Sequence, residues 1–409
     1  MPKLPAYPLY LALSFLTSFF FSLMFVVTSF YEATVARLSG LQLVLVGTTL
    51  EVVILLFEVP TGIVADAYSR KFSLVIGYLI MGLGFIIEGL FPVFPAILLA
   101  SGLWGLGYTF TSGAQQAWLS DEIGEQAANR AFLRANRFDL AGAFAGMLLA
   151  IPLGNLSVAL PILAGGMGLM LLGLFLTLFM PETRFAPAKP ENRTTFQHMG
   201  DIFSKGIATV RARPALTAVL GVGFIYGLYS EGWDRLWVKF LVDTFPLPSL
   251  FGMNEVAFLG VMRAMGMLLS ILLTQQVEKR LDASHAPSIA KGMGWLTGLL
   301  ALAIFLFAFA PALAVAVAAV LLVSVTRSVL GPLYMAWVNQ RLDSDTRATI
   351  ISMSGQVDAI GQIASGPLAG MVSLWSVQAA IAFAGFLLLP SLPLIGRANR
   401  LRGTGDRHF

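Results

Sequence analysis

Gly62-Ile-Val-Ala-Asp66-Ala-Tyr-Ser-Arg70-Lys71 separates two apolar stretches, 41–65 and 72–90. Each flank has about the 20 residues that a helix rising ~1.5 Å per residue needs to cross a ~30 Å hydrocarbon core. The last six residues, 66–71, therefore read as a short polar connection between two membrane-crossing helices, with Asp66, Arg70 and Lys71 outside the apolar layer.

Working outward, ten further stretches qualify: 9–31, 96–120, 131–153, 156–180, 216–237, 256–277, 289–309, 312–338, 349–372 and 374–395. Hydrophobic residues make up 57% of the 409 and charged residues 12%, about half the share of a soluble domain. No water-soluble fold of this length could hide so much apolar surface. The stretch 9–31 follows Lys3 and has no small-residue cleavage pattern before Glu32, so it reads as a retained span rather than a signal peptide. The seventh span is the weakest of the twelve, because Glu231, Asp234 and Arg235 crowd its end. Phe91 to Pro95, Pro152 to Asn155 and Pro311 read as tight outer turns.

Basic residues orient the chain. Twenty-one of the 26 Lys and Arg fall on the N-terminus, alternate loops and the C-terminal tail, while only Arg37, Arg235 and Lys239 fall on the opposite loops. Lys and Arg favour the cytoplasmic side, so both termini are expected there, in a cell membrane of bacterial inner-membrane type. The remaining two, Arg263 and Arg327, lie inside spans. This spread lacks the clustered basic face that nucleic acid requires. There is no cysteine, which excludes disulfides and thiolate metal sites.

The polar stretch 181–214 divides the spans six and six. The expected organisation is a six-helix bundle over 1–184, a cytoplasmic linker over 185–213, and a second six-helix bundle with a short tail over 214–409. An internal repeat supports it. At a constant offset of 219, Ala117 and Trp118 match Ala336 and Trp337, Asp139 matches Asp358, and Gly142 matches Gly361. Parallel repeats of six spans are a known transporter architecture.

The opening decapeptide, a Gly, three residues, an Asp and then a basic pair, resembles the signature loop of the major facilitator superfamily. Ala67 stands where that loop usually has a basic residue, and Ser69 where it has Gly. Span number, the central linker and Pro181-Glu182-Thr183 extend the resemblance over the whole chain. It implies an all-α polytopic fold of twelve transmembrane helices in two pseudo-symmetric bundles, working by alternating access. In physical terms, Gly62 would let helices two and eleven approach closely, and Asp66 would face the positive N-terminal end of helix eleven. Arg70 could pair with Asp66 and with Asp121, making a conformational latch; alternatively, Arg70 and Lys71 only enforce topology.

Drug and proton antiporters of that superfamily carry a Gly-rich pattern with a Gly-Pro pair in span five. Here span five has Gly142, Gly146, Pro152 and Gly154, and the pair appears in span eleven as Gly366-Pro367-Leu-Ala-Gly370. Close helix packing is an equally good account. The Arg that those antiporters place before a Gly-x-Gly in span four is Ser101 here, ahead of Gly105 and Gly107.

Ionisable groups inside the hydrocarbon are functional candidates, because they are costly unless paired or hydrated. Glu51 and Glu58 are seven residues apart in span two, on one helix face about 10 Å apart. With Asp139 and Asp358 they are the candidates for proton coupling; a structural role is the alternative for each. Asp139 is expected to pair with Arg134 or Arg137, and Asp358 to be satisfied by Gln356 or Gln362. Arg327 and Arg263 either bind an anionic substrate group or pair internally, Arg327 with Glu51 or Asp358. The resemblance implies a cavity lined by spans one, four, seven and ten. Its candidate walls are Trp104, Tyr108, Gln115, Tyr226, Tyr229 and Tyr334, suited to an amphipathic small molecule.

The expected function is secondary active transport, proton-coupled efflux of a hydrophobic or amphipathic small molecule. Import of an organic anion, and a non-transporting receptor or lipid-handling role, are the competing readings. Protons, or sodium in their place, and membrane lipids are the other expected partners of a monomer. No enzyme activity, cofactor or metal is expected: there is no phosphate-binding Gly-rich loop with Lys, and His198, His285 and His408 lie in loops or the tail.

Overall fold

In lipid each backbone N–H and C=O must be satisfied within the protein, and a helix does so within one segment. The computed structural model describes residues 3–187, 210, 213–250, 252–280, 286–340 and 344–405. Its long helices are α1 (Ala6–Phe25), α2 (Thr28–Thr34), α3 (Gly40–Ala67), α4 (Arg70–Leu90), α5 (Phe94–Thr111), α6 (Ala114–Ile123), α7 (Glu125–Leu156) and α8 (Ala159–Phe179). They continue with α9 (Pro214–Thr244), α10 (Glu255–Arg280), α11 (Ala286–Ala308), α12 (Leu313–Asn339), α13 (Ser344–Trp375), α14 (Val377–Leu388) and α15 (Ser391–Gly405). The pairs α1–α2, α5–α6 and α14–α15 are single runs interrupted by short breaks, so among the described residues the fifteen helices form twelve runs. This is the expected all-helical polytopic architecture.

Ten of the runs are long and apolar enough to cross a membrane. The other two, α9 and α13, have 31 and 32 residues but carry charge along their length, including Asp234 on α9 and Asp358 on α13. The turn expected at Pro152 to Asn155 is not there: α7 continues through Pro152 to Leu156. The fourth run is broken where the sequence reads as continuous. Gly113 sits at φ +72°, a left-handed conformation that glycine adopts without steric cost, and α6 restarts from it.

Two compact units emerge, one of Met1–Leu38, Thr49–Thr195 and Leu247–Val261, the other of Ser39–Thr48, Phe196–Pro246 and Met262–Phe409. Small residues set both. In the first, a Cβ at Gly142 or Gly146 of α7 would collide with the carbonyl oxygens of Phe15 and Phe19 on α1. The start of α10 also belongs to it. Asn254 donates its backbone N–H to Asn155 Oδ1 (2.9 Å) and Nδ2 to the Gly154 carbonyl (3.0 Å), fastening α10 to the end of α7.

In the second unit, a Cβ at Gly361 of α13 would collide with the Phe224 carbonyl on α9, and one at Gly227 with the carbonyl of Asp358. The first turns of α3 join this unit. Gly366 faces the Thr48 side chain and Gly370 the side chain of Leu41, each too close to admit a Cβ without movement. Helix α13 runs unbroken through Pro367. A Cβ at Gly62 would meet nothing within 4 Å.

Candidate functional site: a charged cavity in the second unit

Three helices of the second unit line a cavity of about 270 Å³. Helix α9 supplies Tyr226, Tyr229, Ser230 and Asp234, α12 supplies Arg327, Leu330 and Gly331, and α13 supplies Asp358 and Gln362. The spacings of three, four and eight residues each hold one helix face toward the cavity. Gly331 adds no bulk, since a Cβ there would meet nothing within 4 Å. The close approach of α9 and α13 at Gly227 and Gly361 brings Tyr226 and Asp358 to the same space.

Arg327 is held by Asp234 in a two-pronged ion pair, with one guanidinium NH2 at 2.5 Å from Oδ1 and the other at 2.9 Å from Oδ2. Such a fork fixes orientation as well as charge. The guanidinium also lies 5.8 Å from the centre of the Tyr229 ring, within cation–π range. Of the two roles left open for Arg327, internal pairing is realised, but the partner is Asp234 rather than Glu51 or Asp358. Asp234 had registered in the sequence only as a charge weakening span seven. Its spacing from Tyr226, Tyr229 and Ser230 was the available signal.

Asp358 accepts a hydrogen bond from Gln362 Nε2 (2.9 Å), one turn along α13. The cavity thus holds two carboxylates and one guanidinium among its lining residues. Tyr226 shares a hydrogen bond with Thr297 Oγ1 (2.7 Å) and stands 5.8 Å, ring to ring, from Tyr334. Tyr334 is buried behind it and does not line the cavity. Arg263 does not line it either: its guanidinium lies 5.2 Å from the Trp237 ring centre, with Nε buried and without a hydrogen bond among the described residues.

The first unit contains pseudo-equivalent positions with different chemistry. Thr17 shares a hydrogen bond with the Tyr78 hydroxyl (2.9 Å). Thr297 lies 219 residues after Tyr78, and Tyr226 lies 209 after Thr17, the same offset that relates Phe224 to Phe15 beneath Gly361 and Gly142. One hydrogen bond therefore recurs with its Tyr and Thr exchanged. At these offsets Arg327 corresponds to Tyr108, and Asp234 to Phe25. Phe25 packs at 5.0 Å on Trp104, which also meets Phe85 at 5.6 Å. Where the second unit has an ion pair, the first has aromatic rings.

Other candidates in the first unit are dispersed. Gln115 accepts a hydrogen bond from Tyr78 (3.2 Å), and Tyr108 is exposed within electrostatic reach of Glu58 and Glu51. Glu51 is half-buried and Glu58 exposed. Asp139 is not paired as expected. It accepts from Ser18 Oγ (3.2 Å) on α1, while Arg134 donates to the Tyr7 hydroxyl (2.9 Å). Residues two or five apart on a helix do not face each other, so neither Arg137 nor Arg134 is placed to reach it.

At the α3–α4 connection Arg70 pairs with Asp66 and lies 3.5 Å from Asp121. Ser69, where the signature loop has Gly, caps α4 by accepting from the Phe72 N–H (2.9 Å) and donates to Glu182 Oε2 (2.6 Å). Glu182 also accepts the Lys71 N–H (2.9 Å), a carboxylate at a helix N-terminus. Lys71 Nζ in turn reaches the Thr177 and Met180 carbonyls at the end of α8 (2.9 and 3.1 Å). Among the described residues there is no cluster of metal-ligating side chains; His198, His285 and His408 lie outside them.

No family model matches the chain. It is 25% identical over 361 residues, 86% of each chain, to the uncharacterised MFS-type transporter YxaM of Bacillus subtilis (strain 168). A solved structure of the nucleoside transporter NupG superposes with a TM-score of 0.79 at 15% identity, over 96% of this chain and 99% of that one. A POT family transporter in complex with 5-aminolevulinic acid gives 0.75 at 13%, over 97% and 96%. A bacterial homologue of the human lysosomal transporter Spinster gives 0.74 at 14%, over 98% of each. At such identities these structures establish a shared fold.

Proposed function

We propose that this chain is a transporter of the major facilitator type, a reading supported by its 25% identity to an MFS-type transporter and by the shared fold, and that it exchanges a small amphipathic molecule, rich in hydrogen-bond donors, for protons at the cavity of the second unit. The observation that carries the reading is the charge imbalance there. Arg327 is forked onto Asp234. Asp358 is a second carboxylate in the same space, within electrostatic reach of Arg327, and its hydrogen bond among the described residues comes from the Gln362 amide. A proton, or the donor-bearing or positive end of a substrate, satisfies that carboxylate, and one excludes the other. Mutual exclusion at a single group makes the movement an exchange and supports export driven by an inward proton gradient. The Tyr226 and Tyr229 rings and Leu330 offer apolar contact for the substrate body. A volume of about 270 Å³ suits a metabolite-sized molecule, at the lower end of ligand pockets. Glu51, half-buried in the first unit, is the second candidate for the proton. In this reading the protein works as a monomer in the cytoplasmic membrane with both termini inside.

The test is reconstitution into vesicles enclosing a pH-sensitive dye, challenged with a panel of small amines and polyhydroxylated ring compounds. Exchange requires each active compound to move protons in the opposite sense to itself. Movement in the same sense, or compound flux without protons, overturns the proposal.

An organic-anion reading has one observation in its favour, the buried Arg263 Nε without a hydrogen bond among the described residues. It requires Arg263→Gln to abolish transport of an anionic compound while sparing an amine.

A further inference from the structure

A second cavity, about 530 Å³, lies on the surface of α11. Gly294 and Gly298 form its floor, where a Cβ at either position would meet nothing within 4 Å, and Leu299, Leu302 and Leu392 of α15 form its walls. Lys291 stands at one end, beside Trp295, which is 83% exposed. Among the described residues Lys291 makes no hydrogen bond or ion pair, and the lining contains no acid. The Lys291 end of α11 is the one that the basic-residue asymmetry assigns to the cytoplasm.

Dimensions and charge select the occupant. From Lys291 to Leu302 is eleven residues, about 16 Å at ~1.5 Å each, the depth of one leaflet of a ~30 Å hydrocarbon core. An exposed Trp beside a Lys marks the headgroup level. A second copy of this chain is a poorer fit. Helices carrying glycines four apart do associate, but a two-fold contact presents the same patch from both sides and would bring two Lys291 together with no acid in the furrow. The missing partner is an anion joined to about one leaflet's length of hydrocarbon.

We infer that this furrow binds an anionic phospholipid of the cytoplasmic leaflet, its phosphate on Lys291 and an acyl chain lying over Gly294 and Gly298. The full chain, reconstituted in phosphatidylcholine vesicles, is titrated with phosphatidylglycerol or phosphatidylcholine brominated on the acyl chain. Trp295 fluorescence is taken as the difference between the protein and its Trp295→Phe variant. The brominated phosphatidylglycerol is expected to quench this component as though enriched about five-fold over the phosphatidylcholine, the effect of one Lys at the membrane surface. Lys291→Gln removes the preference and Lys291→Arg keeps it. Filling the floor with Gly294→Leu and Gly298→Leu lowers quenching by both lipids. Equal quenching by the two lipids, or a preference surviving Lys291→Gln, overturns the proposal. So does a dimer in the vesicles that Gly298→Leu dissociates, which would assign the furrow to a second copy.

Discussion

Arg327 on α12 grips Asp234 on α9 with both terminal nitrogens, at 2.5 and 2.9 Å, across a cavity that Asp358 also lines. Removing one partner of such a pair leaves a charge in a poorly hydrated space, at a cost of about 3–5 kcal/mol for a buried pair and less here, where both side chains keep some exposure. Asp234→Asn is therefore expected to lower unfolding stability by about 2 kcal/mol, and Asp234→Asn with Arg327→Gln to recover part of it. Denaturant unfolding of Asp234→Asn, Arg327→Gln and the double variant checks this. A double variant less stable than the sum of the singles would show that the pair is not the unit of stability.

Lys at position 327 keeps the charge but not the fork. Its single ammonium cannot engage both oxygens of Asp234 in the planar geometry of the guanidinium. Arg327→Lys is expected to fold with near-normal stability and yet transport at least about tenfold more slowly, since ~1.4 kcal/mol of lost positioning suffices for that. Initial rates in vesicles against thermal unfolding midpoints separate the two effects.

Asp358→Asn removes the group for which substrate and proton are proposed to compete. Uphill, gradient-driven movement is expected to disappear, and substrate affinity to lose its pH dependence. Glu51→Gln, measured in parallel, is the control for the other proton candidate: uphill transport lost in Glu51→Gln but intact in Asp358→Asn would transfer the coupling role to the first unit.

The glycine contacts give a paired prediction. Gly142→Ala and Gly227→Ala both force a methyl group against a backbone carbonyl, which costs about 1–3 kcal/mol in a packed core. Only Gly227 lies against the Asp358 backbone. Both variants should lose stability by similar amounts, while Gly227→Ala should also weaken substrate binding, as a titration of each purified variant would report.

Ser69→Ala deletes the cap of α4 and its bond to Glu182. A loss of about 1 kcal/mol is expected from the cap. Glu182→Gln should cost less, since an amide still accepts from the Lys71 N–H. Thermal unfolding that ranks Glu182→Gln as the more damaging change would make the carboxylate charge, rather than the Ser69 cap, the dominant contact at that helix start.

Much of the architecture was legible in the sequence because the bilayer imposes a one-dimensional rule. A helix must present about 20 apolar residues to cross it, and this could be counted residue by residue. The repeat was visible as well, in Asp139 with Asp358 and Gly142 with Gly361. Its finer correspondence was not, because Thr17–Tyr78 and Tyr226–Thr297 exchange their residue types and the two offsets differ by ten. Helix breaks were similarly hidden: Pro152 passes inside a helix, whereas Gly113 sits in a break and starts α6. The choice depends on neighbouring backbone that no local pattern encodes.

The sequence alone determined that this is a polytopic helical membrane protein with charge submerged in its spans, since the cost of exposing polar backbone and charge to lipid acts on each segment separately. Tertiary structure decided which of those charges meet. Asp234, Arg327 and Asp358 lie 93 and 31 residues apart along the chain and share one cavity, because glycines on α9 and α13 let two backbones touch. Pairing of ions depends on distances of a few ångströms in space, and separation along the chain does not set these.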